Sequence, residues 1–261
     1  MVSVLNRVTG VLVALILLGS SGAAAQGIDE LVKQRLSQDG TKLDLSGVKI
    51  RSAGAVRLAE MELLKTVTDL NLQNNLIEAE GMQALAQSPH LTNLKSLDLW
   101  GNLLGDVGVK ALTESPYIKN LQTLQLWKNE VGEPGIRLMS QSDNFQKLET
   151  LLLNDNLITP DAMEHLVETK AFPKLTTLGL FRNEIGPDGA RMLAQAKHLT
   201  SLKNLYLGQN NIQDEGAIAI IESPNFPNLE MLDLIQNRLG EPTVRAVFKT
   251  KRQRQIEITI R

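Results

Sequence analysis

The chain has no cysteine in 261 residues, which excludes a disulfide scaffold and any cysteine-ligated zinc or iron–sulfur centre. It also lacks an excess of one charge: 27 Lys and Arg stand against 29 Asp and Glu, a net of −2. That balance offers no electrostatic case for nucleic acid. With 43% apolar residues the chain is not a disordered polyelectrolyte either. No Asn-x-Ser/Thr sequon occurs, so N-glycosylation is excluded, and there is no glycine-rich phosphate loop.

Long hydrophobic runs are missing except for one, Val11–Leu18, of eight residues. It follows a short segment carrying Arg7 and precedes small residues ending Ala23-Ala24-Ala25. A charged start, a short apolar stretch and an A-x-A end predict a secretory signal peptide over residues 1–25, cleaved before Gln26. The run is far short of the ~20 residues that span a bilayer, so no stable membrane insertion is expected after cleavage. An exported chain without cysteine or sequon points to a bacterial periplasm or exterior.

What is present is a repeat. Leu45, Leu72, Leu99, Leu126, Leu153, Leu180, Leu207 and Leu234 follow at intervals of 27 without a slip, each preceded by another leucine two residues earlier. Three residues after each, from the second repeat on, stands Asn75, Asn102, Asn129, Asn156, Asn183, Asn210 or Asn237, with Val48 in the first repeat. A fixed period in this range marks a solenoid. The L-x-L core has the two-residue alternation of a short strand with leucines inward. The asparagine sits where the chain turns away, suited to backbone groups that the turn leaves unpaired, and stacking sets these side chains in a ladder. Breakers and acids such as Gly105-Asp106 and Gly132-Glu133-Pro134 open a helix. Inward pairs such as Val109/Leu112 and Ile136/Met139 continue it. Ser88-Pro89, Ser115-Pro116 and Ser223-Pro224 mark helix ends.

The pattern Leu94-x-x-Leu97-x-Leu99-x-x-Asn102-x-Leu104-x-x-x-Gly108-x-x-x-Leu112 resembles a leucine-rich repeat of the ribonuclease-inhibitor type, over about residues 40 to 254. The resemblance implies an α/β fold, a right-handed βα horseshoe of eight repeats with a parallel concave sheet and outer helices. It also implies protein binding without catalysis. The uniform period of 27 departs from the alternating 28- and 29-residue units of the vertebrate inhibitor and looks like bacterial members, so ribonuclease is not carried over as the target. The expected organisation is a helical cap over 26–40, the repeat array over 41–254 and a closing strand over 255–261, one residue out of register.

No catalytic residue, metal site or cofactor is expected. His90 and His198 share a column four repeats apart, about 19 Å at ~4.8 Å per strand, too far for one metal. Asp69 and Asp98 stand diagonally on neighbouring strands, the separation of a glycosidase pair, yet outward carboxylates on a sheet are common and imply no pocket. Lys249, Lys251, Arg252 and Arg254 read as a solvated cap turn, with contact to an anionic surface the alternative.

The candidate site is the outward face of the strands. Of nine aromatic residues in the chain, four fall on its 24 positions: Trp100, Trp127, Phe181 and Tyr206. Trp100 and Trp127 share a column on adjacent strands, and Leu152, Met231 and Ile235 extend the apolar surface, with Asp98, Gln125 and Asn154 beside them. Exposed tryptophans without structural duty are interface hot spots, so a protein or peptide partner is expected for a monomeric module. A structural or envelope-associated solenoid, or one that binds glycan, is the alternative class.

Overall fold

A computed structural model describes residues 27–261. The signal-peptide expectation for residues 1–25 lies outside them. Among the described residues, nine strands form one sheet in strict chain order: β1 Lys42–Asp44, β2 Asp69–Asn71, β3 Ser96–Asp98, β4 Thr123–Gln125, β5 Thr150–Leu152, β6 Thr177–Gly179, β7 Asn204–Tyr206, β8 Met231–Asp233 and β9 Glu257–Thr259. All eight pairings are parallel. Helix α1 spans 27–35. The others are α2 Arg51–Ala59, α3 Ala79–Ala86, α4 Gly105–Thr113, α5 Glu133–Ser140, α6 Pro160–Val167, α7 Gly186–Leu193, α8 Gln213–Ile221 and α9 Glu241–Lys251. This is the α/β leucine-rich-repeat solenoid.

Register follows the leucines. Leu43 pairs with Leu70 and Leu97 with Leu124, 27 residues apart, and only the last step shortens, Leu232 facing Ile258 after 26. A slip of one residue elsewhere would turn every leucine outward, so the buried face pins the pairing. The strand leucines, the helix pairs and the anchors Leu91, Ile118, Phe145, Phe172, Leu199 and Phe226 are all buried in one continuous core.

Behind the strands runs the asparagine ladder, whose seven members are at most 8% exposed. Asn102 Oδ1 accepts the backbone N–H groups of Asn75 (3.1 Å) and Ile77 (3.0 Å) from the repeat before. Its Nδ2 donates to the carbonyls of Leu72 (2.9 Å) and Leu99 (2.8 Å). One amide thus ties two repeats through four backbone groups, and Asn156, Asn183, Asn210 and Asn237 do the same. Asn75 does so in part, its Oδ1 accepting the Ile50 N–H alone (3.2 Å), and Asn129 departs furthest. Its Nδ2 reaches the carbonyls of Leu99 and Trp127, but its Oδ1 accepts no hydrogen bond among the described residues.

The residue before each ladder position is left-handed in all eight repeats: Gly47, Asn74, Gly101, Lys128, Asp155, Arg182, Gln209 and Gln236, with φ from 51° to 70°. Only two are glycine, so six side chains bear a conformation that costs about 1–2 kcal/mol. Composition gave no hint of this.

Two further columns bind repeat to repeat. Ser88, Ser115, Ser142, Thr169 and Ser223 donate their hydroxyls to Ala59, Ala86, Thr113, Ser140 and Ala194, carbonyls at the ends of the preceding helices. These satisfy acceptors that a helix C-terminus leaves orphaned. The serines expected only as stop signals are therefore rungs of a second ladder. The helix-opening acids act similarly across repeats. Asp106 accepts from Gly132 N–H (2.8 Å) and Gly135 N–H (2.9 Å), capping α5 rather than its own helix. Asp214 accepts from Thr243 Oγ1 (2.5 Å) and Gly240 N–H (2.8 Å) at the start of α9, bonds that hold its carboxyl below the usual range.

At the amino end, α1 buries Ile28 and Val32. Asp29 takes a bidentate pair from Arg57 of α2 (3.0 and 2.7 Å), which lowers the carboxyl's pKa. At the other end Ile256 and Ile258 close the core.

Candidate functional site

Each strand shows three outward positions, and stacking turns them into three columns across the sheet. The middle column reads Asp44, Asn71, Asp98, Gln125, Leu152, Gly179, Tyr206 and Asp233. The third, nearest the turn, reads Ser46, Gln73, Trp100, Trp127, Asn154, Phe181, Gly208 and Ile235.

In the middle column the two ends differ from the centre. Asp44, Asn71, Asp98 and Asp233 each accept the backbone N–H two residues on, those of Ser46, Gln73, Trp100 and Ile235, at 2.9–3.1 Å. These side chains brace the chain as it leaves the strand. Gln125, Leu152, Gly179 and Tyr206 in repeats four to seven are released from that duty. In repeat six the missing acceptor comes from the neighbouring strand, Asn154 Oδ1 taking the Phe181 N–H at 3.0 Å.

Trp100 and Trp127 touch. Their ring centroids are 5.4 Å apart with planes tilted by 33°, and Trp127 is 36% exposed while Trp100 is half-buried. The exposed indole leaves apolar area in water that a partner would remove.

Phe181 belongs to a second group. A Cβ placed on Gly208 would lie 2.7 Å from Phe181 Cδ2 and 2.8 Å from Ile235 Cγ1, so the ring and the isoleucine close over that glycine from either side. Gly179 is covered in the same way by Leu152 Cδ2 and Asn154 Oδ1. The aromatic stripe is therefore two apolar clusters, Trp100–Trp127 and Phe181–Ile235, with the polar Asn154 between them. Tyr206, half-buried, stands opposite Gly179 on the adjoining strand, and Met231 opposite Asn204.

Asp98 and Asn154, expected among the contacts, have work inside the fold. Asp98 is 7% exposed, one oxygen on the Trp100 N–H (3.0 Å) and the other on Gln73 Nε2. Burial pushes its carboxyl above the usual range, against those two hydrogen bonds, and the charge of Asp44 adds to the rise. Asp98 positions Trp100. Asp69 accepts from Thr68 Oγ1 at 2.6 Å, so both carboxylates of the diagonal pair are already engaged. They border a hollow of about 420 Å³ at the amino-terminal end of the sheet, with Arg35, Lys42, Asp44 and Gln125. Of the histidines, His165 meets Glu133 on the helical side at 2.6 Å. No group of three or more His, Asp or Glu suited to a metal occurs among the described residues.

A Leucine Rich repeat family model matches residues 64–86, 90–112, 173–194 and 198–220, so the chain carries leucine-rich repeats. A comparison with solved structures matches it to the Arabidopsis receptor kinase HAESA, in complex with the peptide hormone IDA and the co-receptor SERK1. The identity is 22%, the TM-score 0.45, and the match covers 77% of this chain and 31% of that one. This chain thus spans about a third of the receptor chain it matches. No curated protein matches it.

Proposed function

We propose that this leucine-rich-repeat solenoid is a non-catalytic binding module that takes a protein or peptide across the concave face of its sheet. The observation that carries the reading is the touching Trp100–Trp127 pair in adjacent repeats, Trp127 exposed and the Trp100 backbone braced by Asp98. Contact spreads from there over Gln125 and Leu152 to Phe181 and Tyr206, with Met231 and Ile235 at the far edge. Aromatic anchors surrounded by neutral contacts are how interfaces concentrate binding energy. The half-buried Gln125, Leu152 and Tyr206, free of the bracing bond that their counterparts at the two ends make, suit a ligand that crosses several strands.

The repeat period supports a ribonuclease-inhibitor-type solenoid of bacterial form. The apolar run before Ala25 supports export to the periplasm or medium. No described helix is long and apolar enough to cross a membrane.

The test is a pull-down from the native source with the wild type and the double variant Trp100→Ala, Trp127→Ala, followed by titration of the captured protein. The reading expects a specific partner whose affinity falls at least about thirtyfold in the variant. Undiminished capture by a variant with an unchanged melting temperature would sink it.

A further inference from the structure

The carboxy-terminal end of the solenoid differs from its body in charge and in what it leaves uncovered. Residues 241–261 hold six Lys and Arg against two Glu, while residues 1–240 hold 21 cations against 27 acids. The positive charge is therefore gathered at one end of a chain that is otherwise acidic. Helix α9 buries Thr243, Ala246, Val247 and Thr250 and turns Arg245, Phe248, Lys249 and Lys251 outward.

Phe248 is 66% exposed, whereas Ile221, the residue 27 positions earlier on α8, is 2% exposed. The reason is topological. Helix α8 packs between α7 and α9, while α9 packs on α8 alone among the described helices, so the column that α9 covers on α8 stays open on α9 itself.

Two of the cations have partners. Lys249 meets Glu222 at 2.7 Å, and Arg254 donates to the Phe226 carbonyl at 2.7 Å, which makes it part of the cap rather than of a free surface. Arg245 is tied only to exposed Glu241 at 3.2 Å, and Lys251 and Arg252 make no ion pair among the described residues. Arg245, Phe248, Lys249, Arg252 and Gln253 line a shallow hollow of about 400 Å³.

We infer that this end docks on an anionic phospholipid surface, Phe248 entering the interface while Arg245, Lys251 and Arg252 meet the headgroup phosphates. The positions are right for one helix face: Arg245 lies three residues before the phenylalanine and Arg252 four after it. A phenyl ring has no polar atom to satisfy and gains by leaving water, while cations at the same height stay with the phosphates. Nucleic acid fits less well, because binding a strand calls for a groove that follows its backbone with successive stacking rings, and this patch is one helix end with one ring. A second copy meeting the same end is opposed by like charge. The inference does not depend on the sheet-face reading, whose residues lie on and beside the strands and not on α9.

Each cation near an anionic surface contributes roughly fivefold in partitioning, so three contribute on the order of a hundredfold, reduced by salt. The test is co-sedimentation of the full chain with vesicles of phosphatidylcholine, with and without phosphatidylglycerol. The apolar run at 11–18 is common to every variant, so the readout is the ratio of anionic to neutral binding. The wild type should favour anionic vesicles strongly and lose the preference in high salt. The triple variant Arg245→Gln, Lys251→Gln, Arg252→Gln should bring the ratio near one, and Phe248→Ser should lower the binding to anionic vesicles severalfold. Phe248→Trp should give an indole emission shifted to the blue on vesicles and quenched by brominated lipid. A ratio unchanged in the triple variant overturns the inference. So does equal binding to neutral vesicles, or tight binding of a labelled oligonucleotide that survives Phe248→Ser.

Discussion

Trp127 and Asn129 stand two residues apart in one turn of one repeat. Asn129 belongs to a column that is asparagine in seven of eight repeats, and Trp127 to one that runs Ser46, Gln73, Trp100, Trp127, Asn154, Phe181, Gly208 and Ile235. The first column is buried and each amide answers to backbone groups of two repeats, so every neighbour demands the same side chain. The second lies at the surface, and a brace on its backbone N–H from the column beside it occurs only in repeats one, two, three and eight. Uniformity therefore follows from a repeated hydrogen-bonding task, and variety marks positions open to a ligand.

The comparison breaks most visibly at the ladder. Asn210→Ala removes an amide that accepts the Asn183 N–H (3.2 Å) and donates to Leu180, Leu207 and Gly208. Leaving those groups buried and unpaired should cost about 3 kcal/mol in urea unfolding. Asn129→Ala should cost about half as much, because its Oδ1 has no donor to lose. Equal losses would show that the ladder's strength does not reside in the side-chain oxygens.

The exposed column should respond in the opposite currency. Trp100→Ala with Trp127→Ala should weaken partner binding by about 2 kcal/mol or more while the melting temperature moves by only a few degrees. A collapse of the fold with binding intact per folded molecule would assign the pair to structure.

Asp98 tests the border between the two columns. Its folded pKa lies above 3.8, so the folded state holds the proton more tightly than the unfolded chain. Stability is then lost as pH rises from 3.8 through the folded value, and the ionised carboxylate is a liability at neutral pH. Asp98→Asn keeps an acceptor for the Trp100 N–H and should raise the melting temperature at pH 7, the gain fading below pH 3.8. A gain that is the same in acid would mean that desolvated charge is not the cause.

The smallest effect is expected one residue before the ladder. Lys128→Gly replaces an exposed side chain at φ 54° by a residue at ease there, offset by the greater freedom of glycine in the unfolded chain. A net stabilisation below about 1 kcal/mol should appear in the urea midpoint, with partner binding unchanged.

Much of the molecule was legible beforehand because burial repeats. The 27-residue step of the leucines specified strands, their parallel pairing and the helix face that meets them. The same arithmetic held a second signal that reading for helix stops passed over: Ser88, Ser115, Ser142, Thr169 and Ser223 share the period, and it took the carbonyls of the preceding helices to show why. The left-handed column carried no signal at all, since lysine, arginine and glutamine there look like any exposed loop. For the site, the column of each aromatic could be counted from sequence, and with it that Trp100 and Trp127 stand near enough to touch, but not that Phe181 would close over Gly208 with Ile235.

The sequence by itself determined the period, the order of the strands, the inward leucines and the place of the asparagines, since each is imposed by one unit burying its face on the next. Tertiary structure alone decided that Trp100 is half-buried while Trp127 stays exposed, that Phe181 and Ile235 close over Gly208, and that Asn154 divides the two clusters. It also decided that Asp98 serves the backbone of Trp100 and that Asp106 and Asp214 cap the helices of the repeats after their own. These contacts join residues a repeat or more apart, or set one side chain against its own turn. Periodicity brings such residues into neighbouring positions, and side-chain size and hydrogen-bonding geometry then choose which of them touch.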